Sequence, residues 1–327
     1  MNPGKILSAA RAFLKARILK IKSPLVIGWA ITGRCNRRCS YCSLWQGKSD
    51  ELSTGQAIRV VDTLAEMGTL RISFTGGEPL LREDMGRIID HVHGKGIEVK
   101  LNSNGTFVKK KIKELKNLDI LALSLEGPEG VHDAIRGKGS YGEVVEAAEA
   151  ARASGIKVVF AVVLTKINLD SIDFILEKAA EFGGKAVFQP ATLSVLGGGT
   201  PNPIAPLKDE YRRAVDRLIE RKRRGDPVIG DSIAVLRHVY NWPDPKRIKC
   251  ASGWISCRIE PNGDVVYCSR RRRPSRPLNC VRDGFRKAFE ALKPISCEDC
   301  WCAGRVELNI CFSMRPWPLL NQLIGKR

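Results

Sequence analysis

From Pro24 to Pro190 short apolar runs alternate with amphipathic stretches, and this alternation predicts the elements of the chain. PLVIGWAI, TLRISFTGG, IEVKLNSNG, LDILALSLEG, IKVVFAVVLT and AVFQP each read as a strand. Their apolar residues run nearly without interruption, as in a parallel sheet covered on both faces. Segments 54–67, 83–94, 108–117, 141–154 and 168–182 read as helices between them, with Gly155 and Gly183 or Gly184 as stop signals. Six βα-type units in series predict a parallel α/β sheet, either open and twisted or part of a barrel. In both arrangements functional residues gather at the C-terminal ends of the strands.

After Pro190 the pattern changes. LSVLGGGTPNPIAP is rich in Gly and Pro and reads as a loop or linker, followed by a basic helix over 208–224. RIEPNGDVVYC reads as a hairpin, two alternating runs around an NGD turn. At the N-terminus, KILSAARAFLKARILKIK places Leu7, Ala10, Leu14, Ile18 and Ile21 three or four apart with Lys and Arg around them, a basic amphipathic helix. The tail RPWPLLNQLIGKR is again apolar with basic flanks. The expected organisation is therefore an N-terminal helix (1–23), a core (24–190), a linker and helix (191–249), a cysteine-rich part (250–312) and an amphipathic tail (313–327).

Composition narrows the function classes. Hydrophobic residues make up 43% of the 327 positions and charged residues 27%, which excludes wholesale disorder. Fifty-four Lys and Arg against 35 acidic residues give a formal charge of +19, which favours polyanionic surroundings such as nucleic acid or an anionic membrane surface, and also keeps a protein in solution. Aromatic residues are only 6% and no nucleic-acid-binding motif is present, so a non-enzymatic nucleic-acid-binding metalloprotein is the weaker alternative. No uninterrupted apolar signal core and no run of about 20 apolar residues occurs, so a cytoplasmic protein is expected, peripheral on the inner face of the membrane if its basic ends bind lipid. Clustered cysteines in such a compartment indicate metal rather than disulfides.

The sharpest chemical signal is CNRRCSYC, with Cys35, Cys39 and Cys42 in a C-x3-C-x2-C spacing just after the first strand. Three close thiolates can hold a [4Fe–4S] cluster and leave one iron open. Zinc would want a fourth ligand nearby, and no His occurs before residue 91. With Tyr41 before the third cysteine, GGEP at 76–79 and LSLEGPEGVHDAIRGKGSY, the chain resembles the radical S-adenosylmethionine (radical SAM) superfamily. Glu126 stands where many relatives have Asp.

That resemblance implies a partial (β/α)6 TIM-like barrel with a small cysteine-rich C-terminal α+β extension. It also implies that Cys35, Cys39 and Cys42 hold a cluster that binds and reductively cleaves S-adenosylmethionine. The resulting 5′-deoxyadenosyl radical would abstract hydrogen from the substrate, with flavodoxin or ferredoxin as electron source. Around the cofactor the expected contacts are Tyr41, Gly76 and Gly77 through close backbone approach, and Glu78 to the ammonium. Ser103, Asn104 and Ser124 are expected at ribose hydroxyls, and the Arg136 fork at the carboxylate.

Eight of the eleven cysteines fall within residues 250–311. They resemble the SPASM or shorter twitch extensions of the superfamily, which hold auxiliary [4Fe–4S] clusters, although CEDCWC followed by Cys311 departs from the full SPASM pattern. One auxiliary cluster is expected on Cys250, Cys268, Cys297 and Cys300, with Cys302 or Cys257 able to replace one of them. Cys280 and Cys311 are expected to pack. The basic ends, and the lack of an evident leader-peptide-binding domain, favour a lipid-like or membrane-associated substrate; modification of a peptide is the alternative.

Overall fold

The computed structural model describes residues 13, 15–16, 19–46, 50–269, 275–293 and 295–313. Its centre is an eight-stranded sheet in the order β6-β5-β4-β3-β2-β1-β8-β9. The strands are β1 (Val26–Thr32), β2 (Arg71–Gly76), β3 (Glu98–Ser103), β4 (Ile120–Ser124), β5 (Lys157–Leu164), β6 (Lys185–Pro190), β8 (Ser256–Ile259) and β9 (Val265–Val266). Strands β1 to β6, the six expected, pair in parallel with their sequence neighbours.

The two further strands come from the cysteine-rich part. β8 lies parallel to β1, with Gly28 opposite Arg258, and β9 turns back antiparallel to β8. The predicted hairpin therefore closes the open edge of β1 instead of forming a sheet of its own. A small second sheet joins β7 (Ile248–Lys249) to β10 (Ser296–Cys297).

Strand alternation assigns the two faces. Ile27 and Trp29, Ile72 and Phe74, Val99 and Leu101, and Leu121 and Leu123 are buried in the main core. Against that face pack α1 (Thr54–Glu66) and α2 (Met85–Gly94). α1 forms because Ala57, Val60, Val61 and Leu64 repeat three and four apart, and Ser53 with Gln56 closes a capping box at its start. The alternate strand residues, among them Gly28, Ser73, Lys100 and Arg258, line the opposite face.

Helices α3 (Val108–Lys111), α6 (Ile172–Glu181) and α7 (Lys208–Arg223) fall within the predicted segments, and α5 (Ser140–Ala153) matches its segment to within one residue at each end. The first is shorter than expected and continues as a 3-10 turn over Ile112–Leu115. Absent from the sequence reading were α4 (Glu129–Arg136), α8 (Ile233–Val239), α9 (Phe285–Glu290) and α10 (Ala303–Phe312). The first three have eight residues or fewer, too short for a periodic signal. In α10 Glu307 and Asn309 are buried beside Val306 and Ile310, which breaks the apolar stripe.

Most of the N-terminal helix and all of the tail after residue 313 lie outside the described residues. Of that helix, Ala16 is buried with Leu25, Ile255 and Phe312, and the Phe13 ring meets Phe312 edge-on at 5.9 Å. Lys22 Nζ donates to the Leu292 carbonyl at 2.6 Å. This end docks on the fold where it is described. Among the described residues no helix is long and apolar enough to cross a membrane.

Candidate active site

The cysteine loop leaves β1 at the C-terminal rim and is seated by the GGEP turn that leaves β2. Gly77 N–H donates to Thr32 O at 3.0 Å and Glu78 N–H to Arg34 O at 2.8 Å. A Cβ on Gly76 would stand 2.1 Å from Thr32 O, and one on Gly77 1.9 Å from Arg34 O. The two glycines thus let two pieces of backbone touch, and the close approach expected toward a ligand is toward the cysteine loop itself. Gly77→Ala is expected to cost about 1–3 kcal/mol through overpacking and to lower iron retention at Cys35, Cys39 and Cys42, as checked by iron analysis and thermal melting.

Each of the three thiols receives a donor. Arg37 N–H reaches Cys35 Sγ at 3.5 Å, Arg136 Nη1 reaches Cys39 Sγ at 3.8 Å, and the Leu44 backbone N–H serves Cys42. Burial pushes the Cys35 and Cys42 thiols up, and the neighbouring thiols add to this, so the three lie within electrostatic reach of one another. Among the described residues, however, no three His, Cys, Asp or Glu side chains close on one point to hold a single ion. The donor set, three thiolates on one short loop, suits an iron–sulfur cluster with one iron left open, whereas a structural zinc is normally closed by a fourth ligand. The apolar seat of the loop is Tyr41, Cys39 and Cys42 packed with Ile135, Val163 and Ile204.

Behind the loop lies a fully buried polar cluster. Glu126 accepts from Tyr41 Oη at 2.9 Å and from Arg136 Nε at 2.8 Å through Oε1, and from Val163 N–H at 3.0 Å through Oε2. Its backbone N–H donates to His132 Nδ1 at 3.1 Å, and its carbonyl accepts from Asn168. Burial disfavours the Arg136 cation, but the Tyr41 hydroxyl and the Glu126 carboxylate beside it more than offset this and raise its pKa. The Arg136 fork, expected on a cofactor carboxylate, is thus committed to Glu126 and Tyr41, with one nitrogen left toward Cys39. Tyr41 is likewise held through its hydroxyl rather than open to a ligand.

Glu78, Ser103 and Asn104 converge, though on one another. Glu78 is buried and accepts from Ser103 Oγ at 3.0 Å, Asn104 N–H at 2.8 Å and Leu80 N–H at 3.1 Å. Burial pushes its carboxyl up to about 7. The Ser103 hydroxyl also accepts from Gly105 N–H, so its proton is spent on Glu78 while one lone pair stays open to a donor. Asn104 Nδ2 donates to Asn36 Oδ1 at 2.8 Å, tying the β3 rim to the cysteine loop. Ser124 is different: half-buried at the end of β4, its hydroxyl has no partner among the described residues. The sequence reading missed a second wall. Residues 194–198 of the Gly- and Pro-rich segment bridge to Cys42, with Ser43 N–H to Leu196 O at 2.9 Å. Their glycines are the available signal, since Cβ atoms on Gly197 and Gly198 would press on Leu44 and Ser43.

The second cysteine field is assembled by the β7–β10 pair, which sets Cys297 opposite Ile248 and brings Cys250 alongside. Cys250, Cys297 and Cys302 lie within electrostatic reach of Cys300, whose pKa is raised first by its hydrogen bond with Cys297 and then by burial. Cys268 follows the hairpin, next to Tyr267, whose carbonyl accepts from Ser252 Oγ at 3.0 Å. Asn309, unnoticed in the sequence, donates to Cys300 Sγ at 3.3 Å and accepts from Ala251 N–H at 2.8 Å, bracing both sides of the field. Cys257 instead lies wholly buried in the main core. Cys280 and Cys311 are also buried, and burial pushes each thiol up to about 12.

Comparison with known proteins places this geometry. The Radical SAM superfamily description matches residues 29–179, which include the cysteine loop, GGEP and the Glu126–Arg136 cluster. The mycofactocin maturase MftC of Mycolicibacterium smegmatis is 30% identical over 261 residues, 76% of this chain and 65% of that relative's length. The PqqA peptide cyclase of Ruegeria pomeroyi is 28% identical over 262 residues, 76% of this chain and 69% of its own. Among solved structures, Streptococcus suis SuiB bound to precursor peptide SuiA superposes with a TM-score of 0.68 over 89% of this chain and 70% of that one, at 16% identity.

Proposed function

Because the chain belongs to the radical SAM superfamily, we propose that it is a peptide-modifying enzyme of that superfamily. Cys35, Cys39 and Cys42 would hold its [4Fe–4S] cluster beside S-adenosylmethionine. Cys250, Cys268, Cys297 and Cys300 would hold an auxiliary cluster, with Cys302 the nearest alternative. When bound, these groups supply the one-electron chemistry that breaks an unreactive C–H bond.

The chain's own residues do the rest. The GGEP turn and Asn104 fix the cysteine loop, and the 194–198 segment walls one side of it against water. Ser124 offers a free hydroxyl at the rim where a cofactor would lie. The three donors to sulfur stabilise thiolate charge.

The observation that carries the peptide reading is the match, over 76% of the chain, to a relative named as a maturase and another named as a peptide cyclase. It outweighs the lipid-like substrate expected from the basic ends, since the described part of the N-terminal segment docks on the fold.

The test uses the anaerobic full-length protein with dithionite and S-adenosylmethionine. It is offered peptide, lipid and small-metabolite fractions of the producing organism grown in deuterated medium. Deuterium is expected in 5′-deoxyadenosine from the peptide fraction; transfer from the lipid fraction alone would restore the other substrate class.

A further inference from the structure

One row of the open sheet face carries an unusual set of charges. Arg258, Gly28, Ser73 and Lys100 stand in register across β8, β1, β2 and β3, all on the face away from the main core. Gly28 leaves room for Arg305 of α10, whose Nη2 lies 3.7 Å from where a Cβ would be. Arg258 is paired with Glu260 at 2.8 Å, and the Arg71 cation just below the row is paired with Glu98. Among the described residues Arg305 hydrogen-bonds to neutral acceptors, Ser252 Oγ at 3.2 Å and Tyr267 O at 3.3 Å, with its charge felt by the Cys250 and Cys257 thiols. Lys100 has neither an ion pair nor a hydrogen bond among the described residues, although it is half-buried.

The acids near Lys100 act on its charge through space, without an ion pair to it among the described residues. Glu98 is taken by Arg71, and Asp231 is held by Phe188 N–H at 2.7 Å while burial pushes its carboxyl up to about 7. A half-buried ammonium and a guanidinium without carboxylates are costly unless something anionic joins them. Lys100 sits four residues below Asn104, about 13 Å beneath the rim at strand rise, and within electrostatic reach of Cys302. The row therefore lies between the two cysteine groups.

We propose that Lys100 and Arg305 form a carboxylate-binding subsite that anchors the substrate on the open sheet face beneath the cysteine loop. The inference rests on the substrate reading above and deepens it: the modified peptide presents a carboxylate, from its C-terminus or from an acidic side chain, to these two cations. The reacting carbon then lies on the short stretch between this anchor and the rim.

The subsite is tested by anaerobic equilibrium dialysis of the full-length, iron-loaded protein with three radiolabelled probes. N-acetylglutamate α-amide carries only the side-chain carboxylate, N-acetylglutamine only the terminal one, and N-acetylglutaminamide neither. One of the acids is expected to bind about tenfold or more tighter than the neutral probe, the share of one charge-assisted hydrogen bond; the preferred acid identifies the source. Lys100→Met should abolish the preference and Lys100→Arg restore part of it, with iron content and circular dichroism unchanged. Arg305→Gln provides the same test should Lys100→Met fail to fold.

Equal binding of all three probes, or a preference that survives both Lys100→Met and Arg305→Gln, overturns the subsite. So does a variant that shifts only the midpoint potential of the auxiliary cluster, for then the cations serve the cluster. Because these probes are not peptides, their outcome is independent of whether deuterium arises from the peptide fraction.

Discussion

Cys39→Ala is expected to abolish reductive cleavage of S-adenosylmethionine, a loss of at least about 10³-fold, or about 4 kcal/mol of barrier. It should also halve the iron content. The reasoning is local. Cys39 sits between Cys35 and Cys42 on a short loop seated on Ile135 and Ile204, and its sulfur takes the only Arg136 nitrogen not spent on Glu126 or Tyr41. The auxiliary field is built from other elements and should keep its iron. Cys311→Ala is the control, because Cys311 is buried with its thiol pushed up to about 12, and both clusters should survive its removal. Iron analysis and quantified 5′-deoxyadenosine check both variants.

Arg136→Leu is expected to have the largest effect on stability. It leaves Glu126 wholly buried with its countercharge gone, a situation that costs about 3–5 kcal/mol and lowers Tm by on the order of 10 °C. Tyr41 and Val163 would still donate to the carboxylate, but neither neutralises it. Glu126→Gln combined with Arg136→Leu should recover about half of the loss or more, because a neutral amide oxygen keeps acceptors for Tyr41 and Val163 without the buried charge. If the double variant melts no higher than the single one, the pair is not what holds the rear of the cysteine loop. Iron content of the single variant should fall as well, since Cys39 loses its donor.

The sheet was legible because its strands are buried on one face by long apolar side chains and are separated by helices with repeating stripes. The cysteine loop was legible because three thiols in eight residues have few other uses. Side-chain partners were harder to read. Glu78, Ser103 and Arg136 were expected to face a cofactor, and the bonds each also makes within the protein could not be read from the sequence. Motif residues at a strand end can either touch a ligand or hold the loop that does, and spacing along the chain is the same in both cases. Asn309 and the 194–198 wall escaped notice because they reach the site through tertiary contacts from distant segments. The closure of β1 by β8 was hidden for a related reason: an NGD turn predicts a hairpin but says nothing of which edge the hairpin joins.

The central claim is that Cys35, Cys39 and Cys42 hold an iron–sulfur cluster that acts on S-adenosylmethionine. The most direct measurement is the metal content of the anaerobically purified, full-length protein together with 5′-deoxyadenosine formed after dithionite and S-adenosylmethionine are added. About eight irons per chain, two clusters of four, and 5′-deoxyadenosine that disappears in Cys39→Ala are the predicted result. Bound zinc in place of iron, or an iron-loaded protein that leaves S-adenosylmethionine intact, would contradict it.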